Sequence, residues 1–433
     1  MTDSRPIEHE LEEYLADGVN QLNDRVLNAA LIQIDNTNQR RRLAMPWRFP
    51  ALTTQTRLAT AAVIGILAVG AAFYLLKPSS SVGPPAATGA PSTSIPASPS
   101  APASAWSVTG APSVDRSTGG IAIGLLDGRV LVAGGGDPAR TTAELYDPVS
   151  GAWAPTGSMN IGRNYPVVVR LANGTVLVAG GSSGGTSFAS AELFDPTTGV
   201  WTETTPMHMA RSQSSASLLA DGRVLVAGAG TDQGLSPKAE IYDPSNRSWT
   251  ATGDMTAGRA GPLSAVLLGD GRVLVAGGFT ADKRSAEIYD APTGTWSATS
   301  SMSTEKVDEQ TAVTLRDGRV MVIGGPLTVA DIFDPTTGSW SRAGALVASH
   351  PDLLVSAMLP DGRVLLVGAG LAGQTASAEI YDPAKDVWSS AGALATVKFV
   401  RSATVLPNGS VLIVGSSGAN AGTAKAEVYT PHS

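Results

Sequence analysis

The sequence predicts an all-β fold: a seven-bladed β-propeller of four-stranded blades, preceded by a short helical tail, one transmembrane helix and a Pro/Ser/Ala-rich linker. Three observations predict the propeller. An Asp-Gly or Asn-Gly step recurs at Gly128, Gly174, Gly222, Gly271, Gly318, Gly362 and Gly409, at intervals of 44 to 49 residues. An Ala-Glu-x-Tyr-Asp-Pro step follows each one, in variant form at Ala330-Asp331-Ile332-Phe333 and Ala426-Glu427-Val428-Tyr429. A Trp follows six of these steps, at Trp153, Trp201, Trp249, Trp296, Trp340 and Trp388. Self-similarity at such a period marks a repeat architecture.

Each unit reads as four short strands. In the second, the apolar run from Pro166 to Leu171 is followed by Asn173-Gly174, a two-residue turn whose central positions need positive φ. Val176–Ala179 returns, Ala191-Glu192-Leu193-Phe194 is the third strand, and Asp195-Pro196-Thr197-Thr198-Gly199 turns into the strand of Trp201. Four antiparallel strands, repeated, make a propeller blade. The seventh step has no Trp after it, yet Trp106 lies ahead of the first unit in Ala105-Trp106-Ser107-Val108-Thr109-Gly110, matching Ala152-Trp153-Ala154-Pro155-Thr156-Gly157. The strand 104–110 therefore closes the last blade, and the seven Trp residues read as apolar wedges between blades, each with one N–H to satisfy.

The Gly-Gly pairs (Gly134-Gly135, Gly180-Gly181, Gly277-Gly278, Gly324-Gly325), the Tyr/Phe-Asp-Pro step, the Trp beyond it and an Arg opening several units (Arg163, Arg211, Arg259) resemble the kelch family. Gly228-Ala229, Gly368-Ala369 and Gly415-Ser416 depart from its glycine pair. The resemblance covers residues 104–433 and implies the fold; function is a property of sites, not of folds.

Composition narrows the classes. Charged residues are 15%, and the net charge of −7 leaves no basic field for nucleic acid. The absence of Cys excludes disulfides, thiolate metal sites and Cys nucleophiles.

Ahead of the propeller, residues 1–57 are charged and helix-prone, with Leu11, Leu15, Val19 and Leu22 on one helical face. Asp24-Arg25-Val26-Leu27 and Gln39-Arg40-Arg41-Arg42 resemble the cytoplasmic tails of bacterial membrane proteins related to anti-sigma factors. Two readings stand: a tail that only orients the membrane helix, and one that grips a cytoplasmic regulator. Residues 58–76 form an uncharged, mostly apolar run, about 28 Å long as a helix, close to the bilayer's hydrocarbon thickness. It starts too late for a signal peptide. Arg40, Arg41, Arg42, Arg48 and Arg57 flank its N-terminal side, and only Lys77 appears on the other before Arg116. The positive-inside rule puts the N-terminus in the cytoplasm and the propeller outside the cell membrane. Residues 77–103, rich in Pro, Ser and Ala, read as a disordered spacer reaching at most ~80 Å.

Kelch-like copper oxidases resembling galactose oxidase need a Tyr cross-linked to Cys together with His ligands, and without Cys that cofactor cannot form. His208 and His350 hold similar places before the first strands of different blades, and no metal ligand is assigned. The acids Glu144, Glu192, Glu240, Glu287, Asp331, Glu379 and Glu427 occupy one position in every unit. A catalytic acid is unique, so a seven-fold acid reads as structural, paired with a blade-opening Arg or with backbone N–H groups. No catalytic constellation emerges and no cofactor is expected, so the chain reads as a binding module rather than an enzyme. The alternative is a cell-surface hydrolase or lyase acting on polysaccharide.

The expected ligand is a protein or a glycan, met by the loops that vary between units. Between blades these loops supply Asn164, Tyr165, His208, Arg211, Lys306, Asp308, His350 and Asp352. Within blades they supply Asp232, Gln233, Phe279, Lys283 and Gln374. The opposite face repeats the same two turns. Protease added to intact cells is expected to remove the propeller and spare residues 1–57; full protection of the propeller would reverse the assigned topology.

Overall fold

The computed structural model describes residues 105–431 apart from positions 117, 137, 232–233, 307–309, 326–328, 349, 351–353, 370–373 and 419–421. The tail, the apolar run 58–76 and the linker lie outside the described residues. Within them every regular element is a strand, and no helix is long and apolar enough to cross a membrane.

Seven four-stranded antiparallel sheets follow one another along the chain. Blade one is Ile121–Gly124, Val130–Ala133, Ala143–Asp147 and Ala152–Thr156. Blade two is Val167–Arg170, Val176–Ala179, Ala191–Asp195 and Val200–Thr204, with a small hairpin, Ser182–Ser183 and Thr186–Ser187, in its second loop. The first strands of blades three to seven are Ser215–Leu218, Ala260–Leu267, Gln310–Thr314, Leu354–Met358 and Phe399–Val405. First strands of consecutive blades lie against one another all the way round, blade seven against blade one included, so the first strand is the innermost; sheets arranged in this way surround a central channel.

Local chemistry explains each element. The Asp-Gly-Arg turns close the first hairpin: Asp221 Oδ1 accepts the Arg223 N–H at 3.0 Å, Gly222 takes φ +87°, and the Arg223 side chain folds back on Asp221 at 2.8 Å. Second strands such as Val176–Ala179 and Val320–Gly324 are buried along their whole length because the neighbouring blades cover both faces. That is why they are runs of Val, Leu and Ile rather than alternating patterns. Seven apolar clusters fill the spaces between blades; one joins Val176, Val178, Phe194 and Trp201 of blade two to Ile121 and Leu131 of blade one.

Each Trp sits directly across from the aromatic of the Tyr/Phe-Asp step, as in Phe194↔Trp201, with ring centroids 4.9 to 5.1 Å apart in all seven pairs. The indole N–H then reaches the preceding blade: Trp201 donates to Gly157 O at 2.8 Å, and Trp249 to Thr205 O at 2.9 Å. Trp153, Trp296 and Trp340 do the same with Gly110 O, Gly253 O and Thr299 Oγ1. Trp388 differs; its Nε1 is buried with no acceptor.

The ring closes as the repeat count requires. Trp106–Val108 pairs antiparallel with Ala424–Tyr429, Trp106 opposite Tyr429, as fourth strand of blade seven. Trp106 Nε1 donates to Ala391 O of blade six at 2.8 Å. Trp106→Ala is expected to cost about 3–5 kcal/mol, since the indole is nearly fully buried. Deleting 104–112 exposes two unpaired sheet edges. A chemical denaturation series measures both, and an unchanged transition in the deletion variant would mean the ring is held shut by something other than this strand.

Candidate functional site

The turns joining first to second and third to fourth strands lie on one face of the disc. The loops joining second to third strands, and blade to blade, lie on the other. The repeated acid sits at the varied face and ties its loops down. Arg163 Nη2 meets Glu192 Oε1 at 3.0 Å, Arg211 meets Glu240 at 2.5 Å and Arg259 meets Glu287 at 2.8 Å, every one of these side chains buried. The same guanidinium bonds the carbonyl at the end of the second strand, as Arg163 Nη1 does with Gly180 O at 2.8 Å. The carboxylate also accepts loop N–H groups: Asn160 N at 2.7 Å for Glu192, Thr256 N at 2.6 Å for Glu287. Gly180 is glycine for the same packing. It takes φ +69°, and a Cβ there would lie 2.5 Å from Arg211 O of the next blade.

Three blades vary the theme. In blade one the cation is Arg116, 3.2 Å from Glu144, in an irregular segment where the repeat is hard to see. In blade five Lys306 pairs with Asp331 at 2.9 Å, and in blade six His350 Nε2 meets Glu379 Oε1 at 2.9 Å. In blade seven Val397 takes the cation's place, and Glu427 accepts N–H bonds from Ala395, Thr396 and Val397. The expectation that each acid pairs with an Arg or with backbone N–H groups thus describes all seven, with Lys and His as further partners.

This corrects three predicted ligand contacts. Arg211, Lys306 and His350 are at most 1% exposed and engaged in these internal pairs. Their polar character suggested surface loops; their position marks them as the buried cation. His208 and His350 are not equivalent either: His350 is the cation itself, whereas the largely exposed His208 ring places Nδ1 2.8 Å from Glu240 Oε2, three residues before Arg211. The two imidazoles answer to carboxylates in different blades, and among the described residues no three His, Cys, Asp or Glu converge, so these residues do not fit a copper site. Tyr165, Phe279, Lys283 and Gln374 are exposed on the varied face, and Asn164 is half-buried, its Nδ2 bonded to Gly136 O at 2.9 Å. Asp232, Gln233, Asp308 and Asp352 lie outside the described residues.

Three between-blade loops and the start of blade four's first strand are also joined at the inner end of the varied face. Tyr165 N donates to Gly119 O at 2.9 Å, Gln213 N to Tyr165 O at 3.2 Å, and Gly261 N to Gln213 O at 3.0 Å. All four residues have positive φ: 64° at Gly119, 53° at Tyr165, 53° at Gln213 and 90° at Gly261. Glycine is the residue this backbone asks for. Tyr165 and Gln213 adopt it at a steric cost of about 1–2 kcal/mol each. Gln213 was not among the predicted residues; no glycine or turn signal marks its conformation in the sequence.

Burial alone would push the Glu379 carboxyl up, but hydrogen bonds from His350 and from the Val347 and Ala348 N–H groups prevail and hold it below its ordinary value. A depressed acid contributes stability above its unfolded pKa and loses it as pH falls through the folded one. Acidification below about pH 4 is therefore expected to loosen blade six, and in Glu379→Gln, itself less stable at neutral pH, that part of the acid dependence disappears. For a permanent cation, Arg163→Gln leaves Glu192 buried without its partner and is expected to cost about 3–5 kcal/mol. Denaturant titrations at pH 3.5 and 7 read both effects; a wild-type midpoint in Arg163→Gln would mean the pair contributes nothing.

Comparison with known proteins agrees with this geometry. The kelch motif matches residues 163–208, which open on Arg163 and contain blade two, and residues 262–303, which contain most of blade four. No curated protein matches the chain. A fungal alcohol oxidase of the AA5 family, solved in complex with copper, superposes with a TM-score of 0.60 at 19% identity, over 75% of this chain and 76% of that one. At that identity the likeness is one of fold. It nevertheless corrects the expectation of a non-enzyme: a propeller like this one serves as an oxidase, so a non-catalytic role does not follow from the architecture or from the repetition of its acids. All seven blades share the carboxylate-tied loop, the glycine turn and the Trp wedge, six of them with a cation on the carboxylate, and the chain is a seven-bladed propeller that carries kelch motifs in two of its stretches.

Proposed function

We propose that the propeller is a binding module that recognises its partner through the varied face, held outside the cell by the apolar run 58–76. The observation that carries this reading is the asymmetry of the two faces. The uniform face is closed on itself: Asp127, Asp221, Asp270, Asp317 and Asp361 each pair with the Arg two residues on, and Arg129 and Arg272 reach across to Pro196 O and Pro335 O of the next blade. The varied face presents side chains that differ from blade to blade, among them His208, Lys283 and Gln374, on loops held by buried pairs. Recognition residues on a rigid frame are the usual construction of a binding surface. The partner belongs to the protein or glycan class, and the cytoplasmic tail would carry the signal of its capture to a regulator.

Two variants test the assignment, each first shown to unfold at the wild-type midpoint. One combines His208→Ala, Lys283→Glu and Gln374→Ala on the varied face. The other combines Val149→Glu, Thr337→Lys and Lys385→Glu on the uniform face. Cross-linking on the cell surface is expected to lose its adducts only in the first, by tenfold or more; loss confined to the second would move the site to the opposite face.

A further inference from the structure

We propose that the rim of the axial channel on the varied face is a saccharide site, built by Tyr165, Gln213 and Phe279, that takes the terminal rings of a neutral glycan. The proposal rests on the binding reading above and names its ligand.

The backbone supplies the first argument. At the rim position with positive φ, blades one and four use Gly119 and Gly261, while blades two and three hold Tyr165 and Gln213 in the same conformation. The fold itself would be served by glycine at all four. Side chains that persist against backbone preference at the mouth of a channel point to use at that mouth.

The side chains supply the second. A Cβ on Gly119 would sit 3.0 Å from the Tyr165 ring, and one on Gly261 2.5 Å from the Phe279 ring, so each ring is backed by glycine backbone. Each leaves 44% of its surface to solvent. Gln213, exposed, stands between them along the hydrogen-bonded rim, and beside Tyr165 the buried Asn164 Oδ1 has no partner. Flat apolar faces flanking amide donors and acceptors match a pyranose, whose C–H face packs on an aromatic ring while its hydroxyls bond to amides.

Scale and charge choose among ligands. The rim from Gly119 to Gly261 takes three backbone steps of about 5 Å, roughly 15 Å in all. A strip of that length suits one to three sugar rings. The cations next to the rim, Arg163, Arg211 and Arg259, are buried against Glu192, Glu240 and Glu287, which leaves them no role in selecting an anion.

Calorimetric titration of the full-length chain with maltotriose, cellotriose and mannotriose tests the site, with trigalacturonate as the charged control. Saturable binding of at least one neutral trisaccharide is expected. Phe279→Ala should weaken it at least tenfold. The double variant Tyr165→Gly, Gln213→Gly should abolish it while leaving the thermal midpoint equal or higher, a combination that a merely structural role would not produce. Failure of all three neutral sugars to bind, preference for trigalacturonate, or a double variant that binds as tightly as wild type would overturn the proposal. So would a double variant that loses stability together with binding. If no sugar binds while cell-surface adducts still depend on His208, Lys283 and Gln374, the saccharide site falls and the varied face stands as a protein-binding surface.

Discussion

A carboxylate on the third strand, turned toward the loop that enters its own blade, is the constraint on which the propeller depends. Wedge-shaped sheets packed round an axis have no hydrogen bonds between their backbones except at their ends. Something must hold each entering loop at a fixed height and angle. The carboxylate does so by accepting loop N–H groups, and in blade seven Glu427 does it without a cation in the usual place, using Ala395, Thr396 and Val397. The constant element is thus the capture of backbone N–H groups; Arg, Lys or His adds charge neutralisation and a bridge to the end of the second strand. Buried pairs of this kind need not stabilise a fold more than apolar substitutes would. What they add is direction, because a guanidinium bonded at once to Glu192, Gly180 O and Ser190 O admits one loop conformation.

Repetition made most of this fold readable from the sequence. Seven copies of the Asp-Gly or Asn-Gly turn and of the Trp gave the blade count, and the one Trp out of phase, Trp106, revealed how the ring closes. The repeated acid was legible for the same reason: Glu192 and its six counterparts cannot all be catalytic, but all can be structural. Where the copies diverge, the signal fails. Arg116 is the cation of blade one, yet its surroundings keep no repeat pattern. Lys306 and His350 read as exposed loop residues, because only superposition on Arg163 shows that they occupy a buried position. Gln213 and Tyr165 were harder still. A residue that adopts a glycine conformation without being glycine leaves no mark in composition or spacing, and only the backbone angle discloses it.

The two faces differ in how far their side chains are satisfied within the fold. Aspartates of the uniform face, such as Asp221 and Asp270, sit below their ordinary carboxylate range, held there chiefly by the hydrogen bond from the neighbouring arginine side chain. Their turns are therefore satisfied internally. On the varied face the buried pairs hold the loops from beneath, and exposed side chains such as Tyr165, Phe279 and Gln374 stand above them. Loop positions of this face can be substituted while the blades remain as they are.

The closing strand has a kinetic consequence. Six blades complete themselves from contiguous sequence, so each can form as it emerges from synthesis. The seventh must wait for Trp106–Val108 and Ala424–Tyr429 to meet across almost the whole ring. Until then both edges are unpaired templates. A strand of three residues is equally able to enter the open blade of another copy, since the register it reads there is identical. Refolding at high concentration therefore sets intramolecular closure against strand exchange, and linked rings rather than unfolded chains are the natural misassembly of this architecture.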